Sequence, residues 1–298
     1  KSRYQGAGSS NVNPTKTESA LDVASEYFNV VGFEPGFKRF GKKSNGLAKK
    51  AVKLANKADV ILLYMGLDET SEAEGTDRTH TKIPQNQIDL LAKLSTLNKP
   101  IVVVLSAGSA VEMGWAEQYN VNAVLHGYLS GQAGARAIMR ILSGAVNPSG
   151  KLSESYPYSY DDNASAKYFD IPGKVVEYRE GIYVGYRYYR SASIKVQYPF
   201  GFGLSYTTFD YSDISVDGDK VSFTLTNSGS VDGAEVSQLY VSKPDSMIFR
   251  AEEELKGFAK TFLAAGESKR VTITLLQRGY QQVGGGTGQL RNPYRRKQ

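Results

Sequence analysis

The segment SEAEGTDR, residues 71 to 78, sets Glu72 and Glu74 two residues apart and follows them with Asp77 and Arg78 around a single glycine. Carboxylates this close on a loop can raise each other's pKa, and a raised pKa lets a carboxylic acid hold its proton near neutrality before handing it on. Glu74 and Glu72 are therefore candidate general acids. The same residues also make an ordinary solvated acidic loop in which Asp77 and Arg78 form a local ion pair, a contact worth little at a surface. Position speaks for chemistry. The segment follows the apolar run DVILLYMG at 59–66, and ligands of open α/β sheets bind in the crevice beyond the C-terminal ends of strands.

Other candidates carry less. YQGAGSSNVNP at 4–14 has the look of an anion-cradling glycine loop, but it lacks the Gly-Lys-Ser/Thr ending of a P-loop and reads more simply as a glycine turn. His80 and His126 are the only histidines; they lack zinc-ligand spacing, so no metal site is expected, and His126 at the end of an apolar strand reads as a core residue. No Gly-x-Ser-x-Gly elbow is present to build a serine triad. Trp115 and the tyrosine-rich stretch 178–189 could stack on sugar rings, although aromatic residues more commonly pack elements together.

The elements that must position these residues alternate. ESALDVASEYF at 18–28 and GLAKKAVKLANKA at 46–58 read as helices, the second with Leu47, Ala51, Leu54 and Ala58 on one face. DVILLYMG reads as a doubly buried parallel strand, and a helix opens at Pro84 and runs to Leu97. PIVVVLSAG at 100–108 is a second strand and NAVLHGY at 122–128 a third, with a helical turn around Trp115 between them and the helix GARAIMRILSG after them. This alternation predicts a doubly wound three-layer α/β/α sandwich over residues 1–157. Residues 158–204 then read as an extended linker, EYREGIYVGYRYY included. Residues 205–275 carry about five short strands bounded by Gly, Asn and Asp turns. They predict an all-β sandwich that is incomplete beside the usual seven or so strands.

The 298 residues include no cysteine, which excludes disulfides, thiolate metal sites and cysteine nucleophiles. The formal net charge of +6 would suggest a nucleic-acid partner, but Arg278, Arg291, Arg295, Arg296 and Lys297 supply five of the six charges within an acid-free stretch, 276–298. The body is nearly neutral and the stretch reads as a disordered basic tail, so no nucleic-acid partner is expected. The longest apolar runs are strand-length, far short of the roughly 20 residues of a membrane helix, and no membrane partner is expected. No charged-then-apolar secretory segment is visible, which leaves the compartment open with the cytoplasm as the default expectation.

Read together, RYQGAGSSNVNP, ADVILLYMGLDETSEAEGTDR, IPQNQIDLL, NKPIVVVLSAGSAVEM, AVLHGYLSGQAGARAI, ILSGAVNPSGKLSESYP, YREGIYVGYRYY, YPFGFGLSYTTF, TNSGSVDGAEVSQLYV and ELKGFAKTFLAAGE resemble the C-terminal half of glycoside hydrolase family 3, the β-glucosidase and β-xylosidase family. The resemblance runs almost continuously from Arg3 to about Leu275 and stops at Leu276. It implies an α/β sandwich followed by a fibronectin type III-like domain, with the family's catalytic (β/α)₈ barrel and its nucleophilic aspartate absent from the chain. It implies that Glu74 is the general acid/base, with Glu72 the alternative, and that Asp77 and Arg78 hold the loop. The substrate implied is a β-linked glucoside or oligosaccharide, reached through the missing barrel, with no cofactor. The residues that bind sugar are not identified. The family pattern also places a strand ahead of Lys1, so an unpaired sheet edge is expected. The expected activity is that of part of a retaining, exo-acting β-glycosidase, inactive alone; the alternative is a non-catalytic carbohydrate-binding or scaffolding piece.

Overall fold

The computed structural model describes residues 3–171 and 173–275, and the backbone of 288–289. Contacts divide the chain into two compact units, residues 1–145 with 156–160, and residues 146–155 with 161–298.

In the first unit, helix α1 (Ala20–Val23) continues into a 3₁₀ turn over Ala24–Glu26, and helix α2 (Asn45–Ala55) leads to strand β1 (Ile61–Gly66). Helix α3 (Gln85–Ser95), strand β2 (Ile101–Ser106), helix α4 (Gly114–Gln118), strand β3 (Ala123–His126), helix α5 (Gly134–Leu142) and the short strand β4 (Tyr156–Pro157) follow. The sheet is parallel in the order β1-β2-β3, with Ile61 opposite Ile101, Gly66 opposite Ser106 and Leu105 opposite His126. One edge of the sheet therefore collects the C-terminal ends of all three strands and the loops that leave them.

β2 is the doubly buried strand, with Ile101, Val103, Val104 and Leu105 at the centre of the core. β1 departs from expectation: Ile61, Leu63 and Met65 are buried while Leu62, Tyr64 and Gly66 are only partly covered. Among the described residues it lies at the end of the sheet with a strand on one side only, and its burial alternates in place of a uniformly buried run. At its last residue the primary amide of Gln87, buried on α3, takes the place of a neighbouring strand. Gln87 Nε2 donates to the Gly66 carbonyl and its Oε1 accepts the Gly66 N–H, both at 2.8 Å. Gly66 itself must be glycine, because a β-carbon there would lie 1.9 Å from the Ser106 carbonyl oxygen.

Two helices differ in detail from their patterns. Pro84 stands just ahead of α3, with ψ 131°, and its carbonyl accepts the N–H groups of Gln87 and Ile88. The buried stripe of α2 is centred on Ala48 and Ala55, one residue round from the face drawn through Leu47, Ala51, Leu54 and Ala58. The small alanines let the helix sit close, and Leu54 is turned toward Gly32.

The second unit begins with a correction. Part of the stretch 177–189 predicted to be extended is helical: α6 (Tyr186–Ser191) starts after Gly185, whose φ of +60° breaks the extended path. Strand β5 (Val196–Tyr198) precedes two antiparallel three-stranded sheets. One is β10 (Ser268–Thr274), β7 (Lys220–Asn227) and β6 (Phe209–Asp217); the other is β11 (Gly288–Gln289), β8 (Gly233–Val241) and β9 (Glu254–Leu263). The alternation read in the sequence is the alternation of burial: Val221, Phe223 and Leu225 of β7 point into a core shared with Leu239, Leu263, Val271 and Ile273. The predicted tail, 276–298, lies outside the described residues except for Gly288 and Gln289, whose backbone pairs with Val241 and Tyr240.

Candidate active site

The acidic loop leaves the sheet edge at Leu67, whose N–H donates to the Ser106 carbonyl. Asp68, buried, shapes the first turn. One of its carboxylate oxygens accepts the N–H and hydroxyl of Thr70 at 2.9 and 2.6 Å and those of Ser71 at 2.9 and 3.1 Å. Burial pushes the Asp68 carboxyl up, but these hydrogen bonds outweigh it and hold the group below the usual carboxylate range. The turn carries the chain back so that Glu72 lies over the ends of β1 and β2.

Glu72 and Glu74 then take opposite roles. The Glu72 side chain is 13% exposed and its carboxylate accepts the Gly108 N–H and a hydrogen bond from Arg3 Nη1 at 2.5 Å, with an Arg78 nitrogen 3.7 Å away. Arg3, 6% exposed, also donates to the carbonyls of Leu67 and Glu72. One carboxylate thus ties together the segment before α1, the acidic loop and the loop after β2. Charge-assisted bonds of this kind are short and strong.

Glu74 faces solvent. Its Oε2 accepts the Ser9 N–H at 2.6 Å, and its own N–H donates to the Ala7 carbonyl at 3.4 Å. Gly8 lies between these two contacts with φ +94°, and a β-carbon on it would approach the Glu74 β-carbon to 2.6 Å. One N–H of the glycine-rich loop at 4–14, that of Ser9, thus holds an anion, and the anion is the protein's own Glu74. Ser9, through its hydroxyl and its backbone N–H, holds the Glu74 carboxyl below its ordinary value. The raising of Glu74 expected from the Glu72/Glu74 spacing is not what the geometry produces, because the two side chains diverge to different partners.

Arg78 donates to the Ser109 hydroxyl at 2.5 Å and lies 3.7 Å from the Glu72 carboxylate. The local Asp77–Arg78 ion pair is not formed. Asp77 is exposed and makes no hydrogen bond or ion pair among the described residues. Arg3, Ser9, Gly108 and Ser109 are the contributors that spacing did not reveal. Arg3 and Glu72 are 69 residues apart in sequence, beyond any local rule; the only signal was the glycine loop itself.

Of the remaining candidates, His80 and Tyr178 are exposed, whereas His126, Trp115, Tyr186 and Tyr189 are packed. His126 Nε2 donates to the Ala107 carbonyl at 3.1 Å, the Tyr156 hydroxyl donates to Nδ1 at 2.5 Å, and Tyr128 stacks on the ring at 3.8 Å. Burial holds the imidazole below its ordinary pKa, as for a neutral core histidine. Trp115 is buried and donates to the Glu112 carbonyl. Tyr186 stacks on Phe200, and Tyr189 is buried with its hydroxyl on Asn163. Among the described residues no group of three or more His, Asp or Glu side chains is placed to hold a metal ion.

Residues 1–206 match the glycosyl hydrolase family 3 C-terminal domain. The chain belongs to glycosyl hydrolase family 3. Residues 235–291 match the fibronectin type III-like domain, in accord with the antiparallel sheets of the second unit. Family members resemble the chain over nearly its whole length: it is 43% identical to the thermostable β-glucosidase B of Acetivibrio thermocellus over 94% of this chain and 38% of that protein. It is 41% identical to an exo-α-(1→6)-L-arabinopyranosidase of Bifidobacterium breve, over 93% of this chain and 37% of the relative. The crystal structure of the family 3 β-glucosidase of Bifidobacterium adolescentis superposes with a TM-score of 0.85 at 42% identity, covering 93% of this chain and 42% of that one. The chain spans about two-fifths of the length of these relatives.

Proposed function

We propose that this chain contributes the general acid/base loop of a retaining, exo-acting β-glycosidase, with Glu74 as the acid/base and the nucleophile supplied by a barrel outside these residues. The observation that carries the proposal is the divergence of the two glutamates. Glu72 is committed to Arg3, Gly108 and Arg78, whereas Glu74 presents a carboxylate to solvent from the C-terminal edge of a parallel sheet, where ligands of such sheets bind. In the first step Glu74 would give its proton to the glycosidic oxygen as the bond from that oxygen to the anomeric carbon breaks and the nucleophile's carboxylate bonds to the carbon. In the second, the Glu74 carboxylate would take a proton from the water that displaces the nucleophile. The two carboxyl groups of a retaining glycosidase stand about 5–5.5 Å apart. A second carboxylate at that distance would also lift Glu74 from the low pKa it has beside Ser9 toward the range a proton donor needs.

The substrate proposed is a β-linked glucoside or oligosaccharide. A β-glucosidase and an arabinopyranosidase stand at nearly equal identity, which leaves the choice of sugar to the part of the pocket outside this chain. The chain alone is expected to show no turnover of an aryl β-glucoside. In the barrel-containing protein, Glu74→Gln is expected to lower kcat on poor leaving groups by about 10²–10⁴, the usual contribution of general acid catalysis, with a smaller loss on activated aryl glycosides. An unchanged rate on both would refute the assignment.

A further inference from the structure

We propose that Gly8 and Ser9 form a positioning element that seats the Glu74 carboxylate for its proton transfers. The inference rests on the acid/base reading of Glu74 and adds residues that nothing in the motif around Glu74 indicates. Three observations carry it. Ser9 N–H donates to Glu74 Oε2 at 2.6 Å. The Glu74 N–H returns to the Ala7 carbonyl, so the two loops grip each other from both sides of Gly8. Gly8 has a left-handed φ and no space for a β-carbon, whose nearest neighbours would be Glu74 Cβ at 2.6 Å and Oε2 at 2.7 Å. A side chain at position 8 would occupy the volume through which the Glu74 side chain reaches its donor.

The loop is itself anchored. Arg3 is fixed on Glu72 and Leu67, and the Tyr4 carbonyl accepts the Gly131 N–H at 2.8 Å. Ser9 therefore stands at a defined place on the sheet edge before any substrate arrives, which is the preorganisation a proton donor requires. The bond strengthens as the work proceeds. When Glu74 gives up its proton, negative charge grows on the carboxylate that Ser9 faces, and a hydrogen bond to an ionised acceptor is about twice as strong as one to a neutral acceptor. The charged groups of the two loops do not compete for Glu74: Arg3 and Arg78 face Glu72, and Asp77 makes no ion pair.

The test reads the contact without turnover, so its failure is separate from failure of the acid assignment, which Glu74→Gln reads. The side-chain carboxyl carbons of the chain labelled with ¹³C-glutamate are titrated by NMR, with Glu74 assigned by its loss in Glu74→Gln. Glu74 is expected to titrate below the ordinary glutamate value. Ser9→Ala, which keeps the backbone, is expected to shift its midpoint partway up, and Gly8→Ala to shift it further, toward an ordinary glutamate. A Glu74 that titrates as an ordinary glutamate in the unsubstituted chain would overturn the proposal, even if Gly8→Ala fails to fold. In the barrel-containing protein the same two substitutions are expected to lower kcat with little change in KM, and to move the pH profile in the direction of the NMR midpoint. A role confined to loop stability would leave that profile in place.

Discussion

Replacing Glu72 by glutamine separates the two glutamates of the acidic loop by their physics. The substitution keeps the size of the side chain and leaves an oxygen for the Gly108 N–H, but removes the charge that faces Arg3 and Arg78. Arg3 is almost fully enclosed, and its Nε has no hydrogen-bond partner among the described residues. Among the described residues the Arg78 Nη1 is likewise buried without a hydrogen bond and has only the Glu72 carboxylate, 3.7 Å away, as its counter-charge. Breaking a buried ion pair by removing one partner costs about 3–5 kcal/mol, because the charge left behind is uncompensated. For a unit of this size that loss lowers the midpoint of thermal unfolding by roughly 10 °C. The assay is convenient: Trp115 is the single tryptophan and is buried in the first unit, so its fluorescence follows that unit and not the β-sandwich. Glu74→Gln, on an exposed side chain, is expected to leave the same transition where it was. Arg3→Gln combined with Glu72→Gln is expected to cost less than the two single changes added, since each removes the other's stranded partner. Equal effects of Glu72→Gln and Glu74→Gln on the Trp115 transition would refute the division of roles.

Two further outcomes follow from the cores. His126 has a folded-state pKa below its ordinary value because of burial. The unfolded chain therefore binds the proton first, so the contribution of His126 is complete above about pH 6.5 and is lost as pH falls below that value. The Trp115 transition is expected to move to lower temperature between pH 7.5 and 5.5, and His126→Gln to flatten that slope; an unchanged slope would contradict the reading. In the β-sandwich, Phe223 is fully buried among Leu225, Leu239, Leu263 and Ile273. Phe223→Ala is expected to cost about 3–5 kcal/mol, measured by far-ultraviolet circular dichroism, with the Trp115 signal unaffected.

Much of the architecture was legible because its signals are local. β2 is a continuous apolar run since it is covered on both faces, and β7 alternates since it is covered on one. Gly144 (φ +79°) stands two residues beyond α5 where a helix is commonly terminated by glycine. What escaped was set by tertiary placement. β1 reads like β2 in sequence, yet among the described residues it lies at the end of the sheet and alternates in burial. The stretch at 177–189 has an alternating aromatic pattern, but Gly185 and the packing of Tyr186 on Phe200 turn part of it into helix. At the site, the acidic loop was recognisable from its composition, and the partition between Glu72 and Glu74 was not. That partition depends on Arg3 and Ser9, residues whose approach to the loop is a matter of chain path and carries no periodic trace.

The central claim, that Glu74 transfers the proton in a glycosidase, is tested most directly by replacing it with alanine in the barrel-containing protein and supplying azide with an activated aryl β-glucoside. Without the carboxylate, water is no longer deprotonated in the second step, and a small anion that needs no base can take its place at the anomeric carbon. The account requires a β-glycosyl azide product and a restored rate with Glu74→Ala, and neither with Glu72→Ala. Rescue at Glu72, or full hydrolytic activity of Glu74→Ala without azide, would contradict it.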